Sequence, residues 1–215
     1  MPSTTGERAQ DEKETGRLEA FSDGVFGIAI TLLVLDIKVP RALELADRST
    51  LEEALWRQWP THASYVLSFV TVLIMWTNHH KVFRLIRRSD HTFLLINGLL
   101  LMFVTLMPFP TSLLAEHLAQ PGGATAAAVY SGTFVLIAAL FNALWHYAAH
   151  HGRLLARGYD REAAQAITRQ YRFGPALYLA AFLLAFVNVW ASVGLCAGLA
   201  AFFALPDSGN RKLRE

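Results

Sequence analysis

Runs of apolar residues long enough to cross a membrane constrain this chain more than any other feature. Four are plain: about Leu18 to Ile37 (LEAFSDGVFGIAITLLVLDI), His62 to Val82, Thr92 to Leu114 and Ala126 to Ala149. A helix needs about 20 predominantly apolar residues to cross roughly 30 Å of hydrocarbon, and each run meets that length. Pro108 and Pro110 fall within the third run and predict a kink near its outer end. The interfacial pair Trp56 and Trp59 precedes the second.

A fifth apolar stretch, Pro175 to Leu205, counts 31 residues. As one helix it would extend about 46 Å, too long for a single span, whereas two full spans need more residues than it has. Charge decides. Arg8, Lys13 and Arg17 precede the first span; Lys81 ends the second and Arg84, Arg87 and Arg88 follow it; Arg153, Arg157, Arg161, Arg169 and Arg172 follow the fourth; Arg211, Lys212 and Arg214 lie at the C-terminus. A tight hairpin of two short helices, turning near Asn188 to Ser192, puts all four clusters on one side. That side then holds fifteen of the nineteen basic residues, leaving Lys38, Arg41, Arg48 and Arg57 opposite. By the positive-inside rule the chain has six spans and cytoplasmic termini. The expected fold class is all-α, a polytopic membrane protein with six transmembrane helices per subunit.

With 53% hydrophobic and 17% charged residues among 215, the chain is too apolar for a soluble domain, and residues 17–206 are expected to form one membrane unit. The first sixteen residues, MPSTTGERAQDEKETG, lack the apolar core of a secretory signal and are expected to be a flexible cytoplasmic tail, as are residues 207–215. A net charge of +2, with basic residues clustered between spans, argues against nucleic acid as a partner. Cys196 is the only cysteine and sits in an apolar run, which excludes an intrachain disulfide or a CxxC metal site. No HExxH, GxSxG, Walker or GxGxxG sequence occurs, and nothing demands an enzyme. The loop Pro40 to Gln58 predicts a brief surface helix. After the fourth span, Tyr159-Asp160-Arg161-Glu162 and the alanines that follow predict a cytoplasmic extension of the flanking helices.

An ionisable group inside a span costs a few kcal/mol at the bilayer centre, so each such group needs a partner. Arg17, Glu19, Ser22 and Asp23 occupy the inner end of the first span, and Asp36 its outer end. Trp76, Asn78, His79 and His80 in the second span, and Asp90, His91 and Asn97 at the start of the third, lie at the same inner depth. An interhelical hydrogen-bond network there would satisfy the carboxylate, either as structural glue or as part of ion or proton handling. Gly24, Gly27 and Thr31 form a small-residue stripe along the first span, with Ile28, Thr31 and Leu35 on a neighbouring face.

The string Arg17-Leu-Glu-Ala-Phe21-Ser22-Asp23-Gly24 resembles the RxxxFSD signature of the bacterial TMEM175 potassium channels. Trp76-Thr-Asn-His79-His80-Lys-Val-Phe83 is similar to that family's W-x-x-H-H-x-x-F element. The resemblance covers about Arg17 to Leu205. It implies a homotetramer in the bacterial inner membrane in which four copies of the first helix line one pore, passing potassium and other monovalent cations without a TVGYG filter. Matching the motif places apolar constriction rings at Ile28 and Leu35 and a ring of hydroxyls at Thr31. Hydroxyls offer fewer and weaker dipoles than stacked carbonyls, so potassium is expected to be preferred over sodium only modestly. Arg17, Ser22 and Asp23 would join Trp76 and a histidine, His79 ahead of His80, in the network that holds the helix; Asn97 is added from depth alone. No cofactor is implied beyond the permeant ion. Gly27 stands where many members carry alanine.

Two other functions compete. His79, His80, His146 and His150 could ligate haem in a redox protein, since the pair His146 and His150 has i, i+4 spacing. Asp23 and the histidines could serve a proton-coupled transporter, although neither inverted repeats nor paired broken helices are evident.

Overall fold

The computed structural model describes residues 4–40, 50–156 and 158–204, with side chains described from Lys13 onward. Among them there are nine α-helices and no strand, only an isolated antiparallel bridge between Ile86 and Leu155. Three helical stretches are long and apolar enough to cross a membrane: Lys13–Asp36, His91–His117 and Gly123–Gly152.

The helix α1 (Thr4–Leu32) ends in a 3-10 turn over Leu33–Asp36. It begins well before the apolar run, so residues 4–16, expected as part of a flexible tail, continue the helix; residues 207–215 lie outside the described residues. The loop that follows is described only in part. Its brief surface helix is seen as α2 (Leu51–Arg57), where the Thr50 hydroxyl accepts from the Glu53 N–H at 3.2 Å.

The helix α3 (Trp59–Phe83) has spanning length but a polar C-terminal end, Asn78 to His80. After it, α4 (His91–Thr105) is capped by Asp90, whose carboxylate accepts from the Phe93 N–H at 2.9 Å. Proline has no N–H to continue the ladder, and the third apolar run accordingly breaks at Leu106 and Met107 before α5 (Pro108–His117). Three buried hydroxyls brace that break. Thr111 donates to Ser68 at 2.7 Å, and Ser68 meets the Tyr130 hydroxyl at 3.1 Å, so α3, α5 and α6 are joined there.

The helix α6 (Gly123–Ala149) forms the centre of the protomer, packing against α4, α5, α8 and α9. Its start requires glycine: a Cβ on Gly123 would stand 3.0 Å from the carbonyl oxygens of His117 and Leu118. Beyond its C-terminus the expected continuation fails. His151 turns to φ 55°, and Asp160 caps a separate α7 (Arg161–Arg172) through the N–H groups of Glu162 and Ala163. That helix is separate because its apolar residues make only a narrow stripe: Ala164, Ile167 and Tyr171 are buried, while arginines face outward.

The last apolar stretch folds as a hairpin of α8 (Gly174–Ala185) and α9 (Val189–Ala204). Its turn at Phe186 to Asn188 falls slightly before the expected position. Asn188 caps α9 by accepting from the Ala191 N–H at 3.0 Å, and the Ser192 hydroxyl reaches back to the Ala181 carbonyl at 2.7 Å.

Candidate pore helix and its anchoring network

The helix α1 presents two faces. Thr15, Ser22, Phe26, Ala29 and Leu33 recur at three- and four-residue spacing and are buried against α3 and α4. On the opposite side, Arg17, Phe21, Gly24, Ile28, Thr31 and Leu35 repeat the same spacing and are all exposed. Ile28 is 58% and Leu35 71% exposed, so neither is used to build the protomer. The Thr31 hydroxyl donates to the Ile28 carbonyl at 2.9 Å, which leaves its oxygen lone pairs turned away from the helix.

Polar contacts fasten the buried face around Ser22 and Asp23. Asp23 accepts from the Trp76 indole N–H at 2.8 Å. Ser22 accepts from the Asn97 amide at 3.0 Å and donates its own proton to the Leu18 carbonyl at 2.9 Å. The Asn97 oxygen can only accept, so the His79 Nε2–H, 2.9 Å away, is the donor. His79 and Asn97 are fully buried, and Phe83 stacks on the imidazole at 4.3 Å between ring centres. Three helices thus meet at Ser22, Asn97 and His79.

The open face of the first helix and the polar cluster both fall within a stretch matched by a known family. The sequence profile described as "Endosomal/lysosomal potassium channel TMEM175" matches residues 17–108. A potassium channel of Chamaesiphon minutus is 55% identical over 197 residues, covering 92% of this chain and 97% of that protein. The chain belongs to the TMEM175 family. A potassium channel of Streptomyces collinus is 46% identical over 176 residues, 81% of this chain and 84% of that one. The crystal structure of a lysosomal potassium-selective channel TMEM175 homolog from Chamaesiphon minutus superposes with a TM-score of 0.82 at 53% identity, covering 89% of this chain and 97% of that chain.

Within this TMEM175 chain, depth in the sequence and azimuth in the fold part company at several residues. His79 reaches Asn97, whereas His80, one residue on, turns to a partner that the sequence reading left out of the network: its Nδ1 meets the Glu19 carboxylate at 2.9 Å. A four-residue step from Glu19 to Asp23 was the available signal, since both then lie along one edge of α1. Arg17 stands apart. It is exposed on the open face, roughly opposite Ser22 on the helix wheel, and its side chain makes no hydrogen bond or ion pair among the described residues.

Asp90 does not join the cluster either. It accepts from the Tyr147 hydroxyl at 2.8 Å and pairs with Arg153 at 3.2 Å, clamping the start of α4 to the end of α6. Desolvation works against its charge, but the Phe93 N–H, Tyr147 and Arg153 outweigh it and hold the carboxyl below the usual carboxylate range. The histidines named for haem have other environments. His79 and His80 are engaged as above, the ring of His150 packs edge-on against His151 at 4.2 Å, and no group of three potential metal ligands assembles among the described residues.

Proposed function

We propose that the chain is a potassium-permeable cation channel in which four copies surround one pore lined by α1. The observation that carries this reading is the division of α1 into an anchored face and an open one bearing Ile28, Thr31 and Leu35. Rings of Ile28 and Leu35 gate by dewetting, and the outward lone pairs of Thr31 replace part of the hydration shell of a passing cation. Hydroxyl dipoles are few, so potassium is preferred over sodium modestly. The names of the relatives, both potassium channels, support the identity of the ion.

Each copy crosses the bacterial inner membrane six times, by α1, α3, the broken pair α4 and α5, α6, α8 and α9. The hairpin returns the chain to the side on which its basic clusters gather, which supports cytoplasmic termini. Ser22, Asp23, Trp76, His79 and Asn97, with the pair Glu19 and His80 below them, hold the pore helix upright; Arg17 lies at the inner mouth of the pathway. This chemistry calls for no cofactor.

Purified protein in a planar bilayer under a potassium/sodium gradient is expected to show channel currents that reverse on the potassium side of zero. Ile28→Asn is expected to raise unitary conductance by wetting the constriction. Unchanged conductance in a normally assembled Ile28→Asn tetramer would mean that the constriction lies elsewhere.

A further inference from the structure

Behind the inner end of α1 lies a half-open polar pocket of about 200 Å³ that the anchoring network does not use. Thr15, Gly16 and Glu19 of α1 form one wall, and Arg84 and Arg87, just after α3, form the other. Buried Phe83 and Ile86 make its floor. Thr15 and Glu19 share the helix face of Ser22 and Phe26, opposite Ile28, Thr31 and Leu35, so the pocket sits behind the pore helix and not in the pathway. The space beside Gly16 is open, for a Cβ there would meet no atom within 4 Å.

The pocket carries both signs of charge. The Arg84 side chain is exposed and makes no hydrogen bond or ion pair among the described residues, whereas Arg87, three residues further on, is already engaged. The Glu19 carboxylate holds His80 through Oε1, and its second oxygen has no partner among the described residues. These groups lie where α1 passes from its polar to its apolar half, the level of a membrane surface on the reading proposed above.

We propose that this pocket binds a phosphoethanolamine-type zwitterion, its phosphate on Arg84 and its ammonium on the Glu19 carboxylate. Arginine pairs well with phosphate oxygens, and a primary ammonium donates hydrogen bonds that a quaternary one cannot. A purely anionic headgroup would leave its charge facing Glu19 uncompensated. The same zwitterion is available from a phospholipid headgroup or from the free soluble compound.

The test uses the full-length protein in detergent, with binding of dioleoyl-phosphatidylethanolamine, -phosphatidylcholine and -phosphatidylglycerol measured by native mass spectrometry, and free O-phosphoethanolamine as competitor. Phosphatidylethanolamine is expected to bind most tightly, and Arg84→Gln to weaken it about tenfold, the scale of one charge-assisted hydrogen bond. Glu19→Gln is expected to erase the preference over phosphatidylcholine. Gly16→Phe, which fills the pocket without altering a charge, is expected to abolish binding. Since Glu19→Gln also loosens His80, Arg84→Gln and Gly16→Phe decide the matter if that variant does not fold. Competition by O-phosphoethanolamine at matched concentration supports a soluble source, and its failure to compete supports a lipid. Equal binding of the three lipids, tighter binding of phosphatidylglycerol, or an undiminished preference in Arg84→Gln or Gly16→Phe overturns the proposal.

Discussion

The helices α1 and α6 are equally apolar over their most apolar eighteen residues, yet 56% of that window is buried in α6 and only 22% in α1. Hydropathy therefore separates neither role; side-chain size and polar placement do. In α6, small residues such as Ala127, Ser131 and Gly132 admit neighbouring helices, to the point that a Cβ on Gly132 would stand 3.3 Å from Phe182. Its large residues, Tyr130, Phe134 and Trp145, fill the space between them and are almost wholly buried. By contrast, α1 is attached along one edge, by polar contacts concentrated at one end. A helix held in that way leaves its other face, with Ile28 and Leu35, exposed.

The comparison is broken most forcefully in α6. Trp145→Ala removes a buried ring and its 2.8 Å bond to Thr168, and is expected to destabilise the protein by about 3–5 kcal/mol in reversible unfolding from detergent. A loss as small as that of a surface substitution would mean that α6 is not the scaffold. The attachment of α1 comes next. Asn97→Leu leaves Ser22 and His79 without their buried partner, at a cost of about 1–3 kcal/mol. A double-mutant cycle with His79→Phe is expected to recover a favourable coupling between positions 79 and 97, and its absence would detach His79 from the role given to it.

The clamp at the end of α6 has a smaller effect. Asp90→Asn preserves the cap on α4 but loses the charge facing Arg153, about 0.5 kcal/mol at neutral pH. Because the folded carboxyl lies below its unfolded value of 3.8, this contribution is complete above that pH. It is lost as the pH falls through the folded value, so wild type and variant should converge in acid unfolding. The smallest change is Gly27→Ala, on the open face of α1, where a Cβ meets no atom of the same protomer within 4 Å. Helix stability should rise by about 0.5 kcal/mol, and a methyl group beside Ile28 should lower unitary conductance if that face lines the pore.

Much of the helical layout was legible in the chain. Pro108 and Pro110 announced the break between α4 and α5 because a missing N–H is a local property. The length of the last apolar stretch, with the basic residues after it, implied the turn between α8 and α9. The candidate site was legible in depth but not in direction. His79 and His80 differ by one position, and only the packing of α3 against α4 turns the first toward Asn97 and the second toward Glu19. Arg17 belonged to the signature string yet stands on the far side of the helix from Ser22. The link from Ala149 to Asp160 looked helical from its composition, but Gly152 and Gly158 adopt positive φ there and α7 forms on its own cap.

By itself the sequence determined that this chain enters a membrane as helices, roughly where they begin and end, and which family its first helix belongs to, because apolar length, proline and a contiguous motif are all local. Tertiary structure alone decided which face of α1 is anchored, which histidine serves Asn97, and that Asp90 pairs with Arg153 across to α6. Those choices depend on the rotation of one helix against another, which is set by the summed packing of side chains distant in the chain and leaves no signal at any single position.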